Sequence, residues 1–257
     1  VSLIKNLEID ASLFASIAKG YKQGGFNLGL GLESNSSNQN LLYDPEYLTN
    51  YELGVNSKIL DSRINLSAVI FYSDRKDQQV FISSQVDPSD PNTFSFLTKN
   101  AAEGLNYGLE MNVNMDLNES LYIFANLGLL ETEIKNWKSR PDLEGRSQAH
   151  APKRSYAVGL NWKPAKNYFL RLDVTGKSSF YYSDSHDEQS QSYSLTNLSL
   201  GYQEHQWKAE LWVRNAFDKY YSVRGFYFGN EPPNFEDTLY ERHGDPRHFG
   251  LSLRYDL

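Results

Sequence analysis

The stretch from Tyr107 to Leu117 reads YGLEMNVNMDL. Side chains alternate across a strand with period two, so Tyr107, Leu109, Met111, Val113, Met115 and Leu117 fall on one face. Gly108, Glu110, Asn112, Asn114 and Asp116 fall on the other. Eleven residues is also about the length of a tilted strand that crosses a bilayer.

The same pattern spreads outward from this stretch. After the short turn Asn118-Glu119-Ser120, the chain returns through Leu121, Ile123, Ala125, Leu127 and Leu129. Upstream, Tyr51, Leu53, Val55 and Ile59 lead to the tight turn Asp61-Ser62, and Ile64, Leu66, Ala68, Ile70 and Tyr72 lead away. An earlier strand over Leu7 to Gly20 alternates Leu13, Ala15 and Ile17 with Ser12, Phe14 and Ser16, and Val1 to Ile4 read as a strand end. Downstream come Tyr156 to Trp162, the turn Pro164-Ala165-Lys166, and Tyr168 to Val174. Leu198 to Tyr202 and Trp207 to Val213 flank the turn Glu204-His205-Gln206. Last, Phe249, Leu251, Leu253, Tyr255 and Leu257 alternate with His248, Gly250, Ser252, Arg254 and Asp256.

Between these strands, short connections alternate with long ones. The long ones are Lys22 to Pro45, a segment after Tyr72 bearing Asp87-Pro88 and Asp90-Pro91, Asn136 to Ala151, Tyr181 to Gln191, and Asn215 to Arg247. The two Asp-Pro pairs are turn signals that exclude a central strand. Trp162, Tyr168, Tyr202, Trp207 and Tyr255 cluster beside short turns, as an aromatic belt at a membrane interface would.

Composition agrees. The 257 residues include 18 Tyr, 14 Phe, 4 Trp and 17 Gly, a β-leaning mixture. A net charge of -7 argues against a nucleic-acid partner, and the lack of Cys excludes disulfides and thiolate metal sites. No apolar run approaches the roughly 18 residues of a spanning helix, but barrel strands carry a fainter signal.

Alternation alone leaves open whether the apolar face lines the core of a soluble sandwich or lipocalin-like barrel, or meets lipid. A polar face of Gly, Ser, Asn, Glu and Arg suits a wet lumen better than a solvated sheet. Short and long loops segregate to opposite ends, and the last strand runs apolar to its final residue. The reading is an antiparallel transmembrane β-barrel with about ten strands plus the Val1 to Ile4 stub. The start at Val1 and the unpartnered last strand point to a piece of something longer, since an open sheet edge does not belong in hydrocarbon.

Four stretches resemble the TonB-dependent outer-membrane receptors. These are Ala18-Lys19-Gly20-Tyr21-Lys22-Gln23-Gly24-Gly25-Phe26-Asn27; Asp44-Pro45-Glu46 with Tyr51-Glu52-Leu53-Gly54-Val55-Asn56; Val213 to Tyr221 (VRNAFDKYY); and Gly244-Asp245-Pro246-Arg247 with the closing strand. Where family members usually end in Phe or Trp, this chain ends in Leu257, with Tyr255 nearby. The resemblance implies that residues 1–257 are the C-terminal part of a roughly 22-stranded plugged barrel. The early strands and the N-terminal plug, through which the TonB complex acts, would lie outside this chain. It implies a location in the outer membrane of a Gram-negative-type cell and uptake of a ferric siderophore. Haem, cobalamin or a saccharide are the other nutrients of the family. A plugless porin and a soluble binding module are the readings outside it.

No catalytic constellation stands out, no cofactor is implied, and the five His show no metal-ligand spacing. His186-Asp187-Glu188 is a weak metal-contact candidate, outweighed by a solvated acidic loop. Arg242, within Glu241-Arg242-His243, can grip an anionic chelate together with Arg224, with salt bridging between loops as the competing reading. Tyr181, Tyr182, Tyr227 and Phe228 can stack on an aromatic ligand, or belong to the interface belt. Glu110, Arg171, Asp173, Arg214 and Arg254 read as lumen-facing, and Asn215 to Tyr221 as a structural strand exit.

Overall fold

The computed structural model describes all residues except 8–9, 28–40, 86–93, 138–139, 185, 230, 235, 237 and 257, and only the backbone of 81–85, 94–96 and 228. The strands are β1 (Ser2–Leu7), β2 (Ala11–Lys22), β3 (Gly25–Phe26), β4 (Leu42–Tyr43), β5 (Glu46–Ile59), β6 (Ile64–Gln85), β7 (Phe94–Asn118) and β8 (Leu121–Trp137). There follow β9 (Arg154–Ala165), β10 (Tyr168–Lys177), β11 (Tyr193–Glu204), β12 (Trp207–Arg214), β13 (Ser222–Phe228), β14 (Thr238–His243) and β15 (His248–Tyr255). Eleven strands form one sheet in the order β1-β2-β5-β6-β7-β8-β9-β10-β11-β12-β15, every neighbouring pair antiparallel. The pairs β3–β4 and β13–β14 are separate hairpins at the end of the sheet that carries the long connections.

Register aligns the apolar residues in rows. Leu53, Ile70, Leu109 and Leu129 are successive partners across four strands. Ile123, Leu160, Leu172, Leu198, Val213 and Phe249 are successive partners across six. On β11, Leu198 and Leu200 are 39% and 49% exposed, while Ser199 between them is 9% exposed. A water-soluble sheet buries the leucines and exposes the serine, so this surface is inverted. The hollows open on the opposite, polar face. One is lined by Asn56, Asn65, Ser67, Asn112 and Asn114, another by Asn161, Arg171, Asp173, Glu210 and Arg214.

The polar face is close-packed by a repeated device. Phe14 directly faces Gly54, Phe124 faces Gly159, Phe169 faces Gly201, and Trp212 faces Gly250. A Cβ at any of these glycines would fall 2.0 to 2.6 Å from the ring opposite. Each ring occupies the space that a side chain at the glycine opposite would need.

Aromatic residues border the apolar band. Beside the short turns, Tyr168 meets Tyr202 at 5.0 Å and Trp207 meets Tyr255 at 4.8 Å between ring centroids. Their polar tips reach the turns: Tyr202 Oη donates to Glu204 at 2.5 Å and Tyr255 Oη to Gln206 at 2.9 Å. Toward the other end, Tyr51, Tyr72 and Tyr107 form one cross-strand row. From Tyr107 to Leu117 the strand advances ten residues. At about 3.4 Å each and a tilt near 45°, that is a height of roughly 24 Å, close to the apolar band of outer-membrane barrels.

Beyond the tyrosine row the usual logic of burial returns. Val80, Ala102, Ile134, Trp137 and Leu143 form a buried cluster between the extended ends of β6, β7 and β8 and the 3-10 turn Pro141–Leu143. Apolar side chains are exposed along the band and buried in the cluster beyond the tyrosine row.

Three expectations about elements change. The long connection after Tyr72 is mostly strand: β6 runs to Gln85 and β7 starts at Phe94, with a bulged register between Arg75 and Gln79. The pairs Asp87-Pro88 and Asp90-Pro91 lie outside the described residues. The strand read from Leu7 to Gly20 is broken, because Leu7 ends β1 and Ala11 begins β2, with Asp10 at φ 42° in the turn. The connection from Asn215 to Arg247 contains the hairpin β13–β14. Leu257 is not among the described residues.

Candidate functional site

Three long connections meet at one end of the sheet. The β8–β9 connection supplies Arg146, whose side chain is only 10% exposed. Arg146 Nη2 donates to the carbonyl oxygens of Ser183, at 3.0 Å, and His186. Its guanidinium lies 3.9 Å from the centroid of the Tyr181 ring, and Nη1 lies 3.2 Å from Asp187 Oδ1. The Asp187 carboxylate is open to solvent, so that ion pair adds little; the carbonyls and the desolvated ring contact carry the attachment. Asp184 accepts the Ala149 N–H at 3.0 Å, and the His150 N–H donates to the Tyr181 carbonyl at 2.9 Å.

The hairpin β13–β14 docks on the β10–β11 connection through one of its two faces. The buried Tyr182 ring lies against Gly225, where a Cβ would come within 2.4 Å of it. Its hydroxyl donates to Glu241. Burial first, and then the Glu241 carboxylate, push the Tyr182 pKa up to about 12. His186 stacks on Tyr227 with centroids 4.0 Å apart. The Tyr227 hydroxyl also bonds Glu188 and holds that carboxyl below its ordinary range.

His186, Asp187 and Glu188 are thus directed at protein partners, and no group of three His, Cys, Asp or Glu suited to a metal occurs among the described residues. Tyr181, Tyr182 and Tyr227 each have a ring face or hydroxyl engaged in holding the connections together; the Phe228 side chain lies outside the described residues. His243 turns to its own hairpin, with Nε2 2.5 Å from Tyr220 Oη and Nδ1 3.2 Å from Ser222 Oγ. Arg224 and Arg242 are directly opposed across β13–β14 and both are exposed. Neither enters an ion pair among the described residues. The salt bridging between loops that would have occupied them is absent from that set.

Register places Glu110, Arg171, Asp173, Arg214 and Arg254 on the polar face of the sheet. Arg171 lies 3.8 Å from Glu210, which Lys208 approaches at 2.9 Å, and both cations flank the Phe169 ring at about 5 Å. Asn197 donates to Asp173 at 2.7 Å, and Arg254 pairs with Asp256 at 2.7 Å. Glu110 lines a third hollow of about 510 Å³ with Asn112, Asn126 and Lys177, which Tyr221 and Val223 enter from the long-loop end.

Arg146 had no sequence signal, because a lone Arg in a polar connection looks solvated until its neighbours are placed. Two of the quoted motif stretches, Val213 to Tyr221 and Gly244 to Arg247, prove to interlock. Asn215 Nδ2 donates to the carbonyls of Lys219 and Asp245, at 2.9 and 3.1 Å. The Gly244 position lies against the Tyr221 ring, 2.0 Å from it as measured from a Cβ. Glu46 accepts the Gln79 N–H at 2.9 Å and pairs with Arg75 at 3.2 Å, while Asn27 exchanges two hydrogen bonds with the Thr98 backbone at 2.7 and 2.9 Å. Those contacts tie the β2–β5 connection to the extended β6–β7 hairpin.

Comparison with known proteins gives concordant matches. A family model described as TonB dependent receptor-like, beta-barrel, matches residues 3–216. The probable TonB-dependent siderophore receptor PiuA of Acinetobacter baumannii is 27% identical over 164 residues, covering 60% of this chain and 21% of that protein. The ferric yersiniabactin uptake receptor FyuA from Yersinia pestis superposes with a TM-score of 0.80 at 19% identity, covering 100% of this chain and 36% of its own. The crystal structure of the siderophore receptor PiuA from A. baumannii gives 0.76 at 18% identity, covering 99% and 35%. The chain therefore spans about a fifth of the curated relative and about a third of the solved ones. At these identities the solved structures speak for the fold.

Proposed function

This chain belongs to the TonB-dependent receptor-like β-barrel family, and we propose on that premise that it is the C-terminal part of an outer-membrane receptor for a ferric siderophore. The family is one of transport receptors, not enzymes. In the proposed reading the apolar rows face lipid, the polar face lines the lumen, and the long connections reach the outside. A plug domain encoded upstream fills the lumen and passes on energy from the TonB complex. Glu110, Arg171, Asp173, Arg214 and Arg254 belong to the wall facing that plug.

The observation that carries the membrane part is the inversion on β11, with Leu198 and Leu200 exposed around the buried Ser199. The partial barrel finds support in the sheet edges: among the described residues β1 pairs only with β2 and β15 only with β12, and hydrocarbon does not tolerate an open edge. The siderophore part is supported by the named relative and by the exposed Arg224 and Arg242, which suit an anionic chelate.

The test is growth of a strain lacking the full-length gene on single iron sources under iron limitation. Loss of growth on one ferric siderophore, reproduced by removal of TonB, is expected. Unchanged growth on every ferric siderophore, with a defect on haem, cobalamin or a saccharide, would move the substrate elsewhere. TonB-independent leak of small solutes would make the protein a porin.

A further inference from the structure

One cross-strand row on the polar face differs from its neighbours. Asn6, Ser12, Asn56, Ser67, Asn112 and Asn126 are successive partners from β1 to β8, and the row continues through Ala157 to Thr175 on β10. None of these side chains is charged or aromatic. The adjoining row toward the long connections carries Phe14, Glu110 and Lys177. The one toward the short turns carries Lys58, Phe124 and Asp173. Two of the hollows lie along the uncharged row and share Asn112; one takes in Asn6, Ser12 and Asn56, the other Asn126, Ala157 and Thr175.

A row perpendicular to tilted strands climbs the sheet diagonally. Asn6 is next to the last residue of β1, beside the connection to β2, and Thr175 is two residues from the end of β10, beside a long connection. From β1 to β10 the row takes seven steps across the sheet, at about 4.8 Å each roughly 34 Å. At a tilt near 45° that climbs about 24 Å, the height of the apolar band. The polar face of β10, β12 and β15 is the opposite case. Arg171, Asp173, Lys208, Glu210, Arg214 and Arg254 crowd it, with Lys208 and Arg171 at 2.9 and 3.8 Å from Glu210.

Groups of both signs offer a plug charge-assisted hydrogen bonds, roughly twice as strong as neutral ones. Amides and hydroxyls exchange a protein partner for water at little net loss. A plug displaced by energy from the TonB complex therefore parts from the uncharged row before it parts from the charged strands. Weak, repeated hydrogen-bond partners also let a hydrated solute both enter and leave, whereas an Arg on the path would retain an anionic chelate. We infer that the solute crosses along the row from Thr175 to Asn6, between the wall and the plug, while the plug stays held on β10, β12 and β15. The inference rests on the reading that the protein is a plugged receptor for ferric chelates.

The test is cysteine labelling of the full-length receptor in cells, in a background free of other accessible cysteines. Ser67→Cys, Asn112→Cys and Asn126→Cys report on the row, and Ser252→Cys and Arg254→Cys on β15. A membrane-impermeant maleimide is added with a ferric catecholate, a ferric tris-hydroxamate or ferric citrate in turn, and uptake is read with radioactive iron. Heat-dependent gel mobility verifies that each variant folds. With the chelate that is taken up, labelling along the row should rise severalfold over cells lacking TonB, while labelling on β15 stays unchanged. A rise on β15 without one along the row, an equal rise at all five positions, or no rise while iron enters would overturn the inference and leave the transport reading standing. If the folded receptor takes up none of the three chelates, nor any other ferric siderophore, the transport reading itself fails.

Discussion

Asp218 Oδ1 accepts the backbone N–H of Arg247 at 2.8 Å and so joins the two ends of the last long connection. Asn215 adds its bond to the Asp245 carbonyl, and it sits at φ 47°, a left-handed conformation that Asn tolerates better than most residues. The hairpin β13–β14 therefore stands on a closed base, which is why a connection of this length can present a fixed surface.

Opening that base should free the hairpin. Asp218→Ala removes a hydrogen bond to a charged acceptor, at about 1.5–3 kcal/mol, and Asn215→Ala loses three bonds and adds backbone strain. Limited proteolysis should then cut within residues 222–243 first, while the strands of the eleven-stranded sheet stay protected. Unaltered cleavage of both variants would show that the base is not what orders the hairpin.

Arg146 should act as the pin between the β8–β9 and β10–β11 connections. Arg146→Met keeps length and apolar contact with Tyr181 but deserts the Ser183 and His186 carbonyls, at about 1–3 kcal/mol of local stability. Hydrogen exchange at residues 180–190 should quicken by roughly tenfold or more, since ~1.4 kcal/mol is one decade.

Tyr182 should ionise well above the ordinary range of a tyrosine. Its folded pKa is raised to about 12 from the ordinary 10, so the fold favours the neutral phenol. Its contribution is fully present below pH 10 and is lost as pH rises through about 12. Absorbance at the phenolate band, compared between the protein and Tyr182→Phe, should lose a component titrating near pH 12. Loss of a component near pH 10 instead would place Tyr182 in solvent.

The glycines under the aromatic rings should resist substitution. At Gly159 a Cβ would meet the Phe124 ring at 2.6 Å and the Leu172 carbonyl oxygen at 2.8 Å, so Gly159→Ala should cost about 1–3 kcal/mol of unfolding stability. Gly20, on β2, has nothing within 4 Å of such a Cβ, and Gly20→Ala should be neutral or stabilising by up to about 1 kcal/mol. Denaturant unfolding in detergent separates the two.

The strands were legible because alternation such as Leu109, Met111 and Val113 against Glu110 and Asn112 is local, and so were the short turns. The direction of the apolar face was legible only in part, from a polar face of Gly, Ser, Asn, Glu and Arg that suits a wet lumen better than a solvated sheet. The continuation of β6 and β7 was hidden by the Asp-Pro pairs between them, which mark a turn without saying how far the strands reach. Of the candidate residues, Tyr181, Tyr182, His186, Arg224, Tyr227, Arg242 and His243 do gather in one loop cluster. That Arg224 opposes Arg242 depends on register, where a slip of one residue exchanges the faces of the hairpin. That Tyr182 is buried depends on a partner 59 residues away, Glu241, and no local pattern carries such information.

The central claim, that the apolar rows meet lipid and the polar face meets a lumen, is tested most directly on β7. Leu109→Arg and Asn112→Arg are introduced singly into the full-length receptor, and the folded protein recovered in the outer-membrane fraction is measured. Leu109→Arg should assemble poorly, at a cost of about 2–4 kcal/mol near the bilayer midplane, while Asn112→Arg assembles normally. Equal recovery of the two variants, or loss of Asn112→Arg alone, would contradict the account.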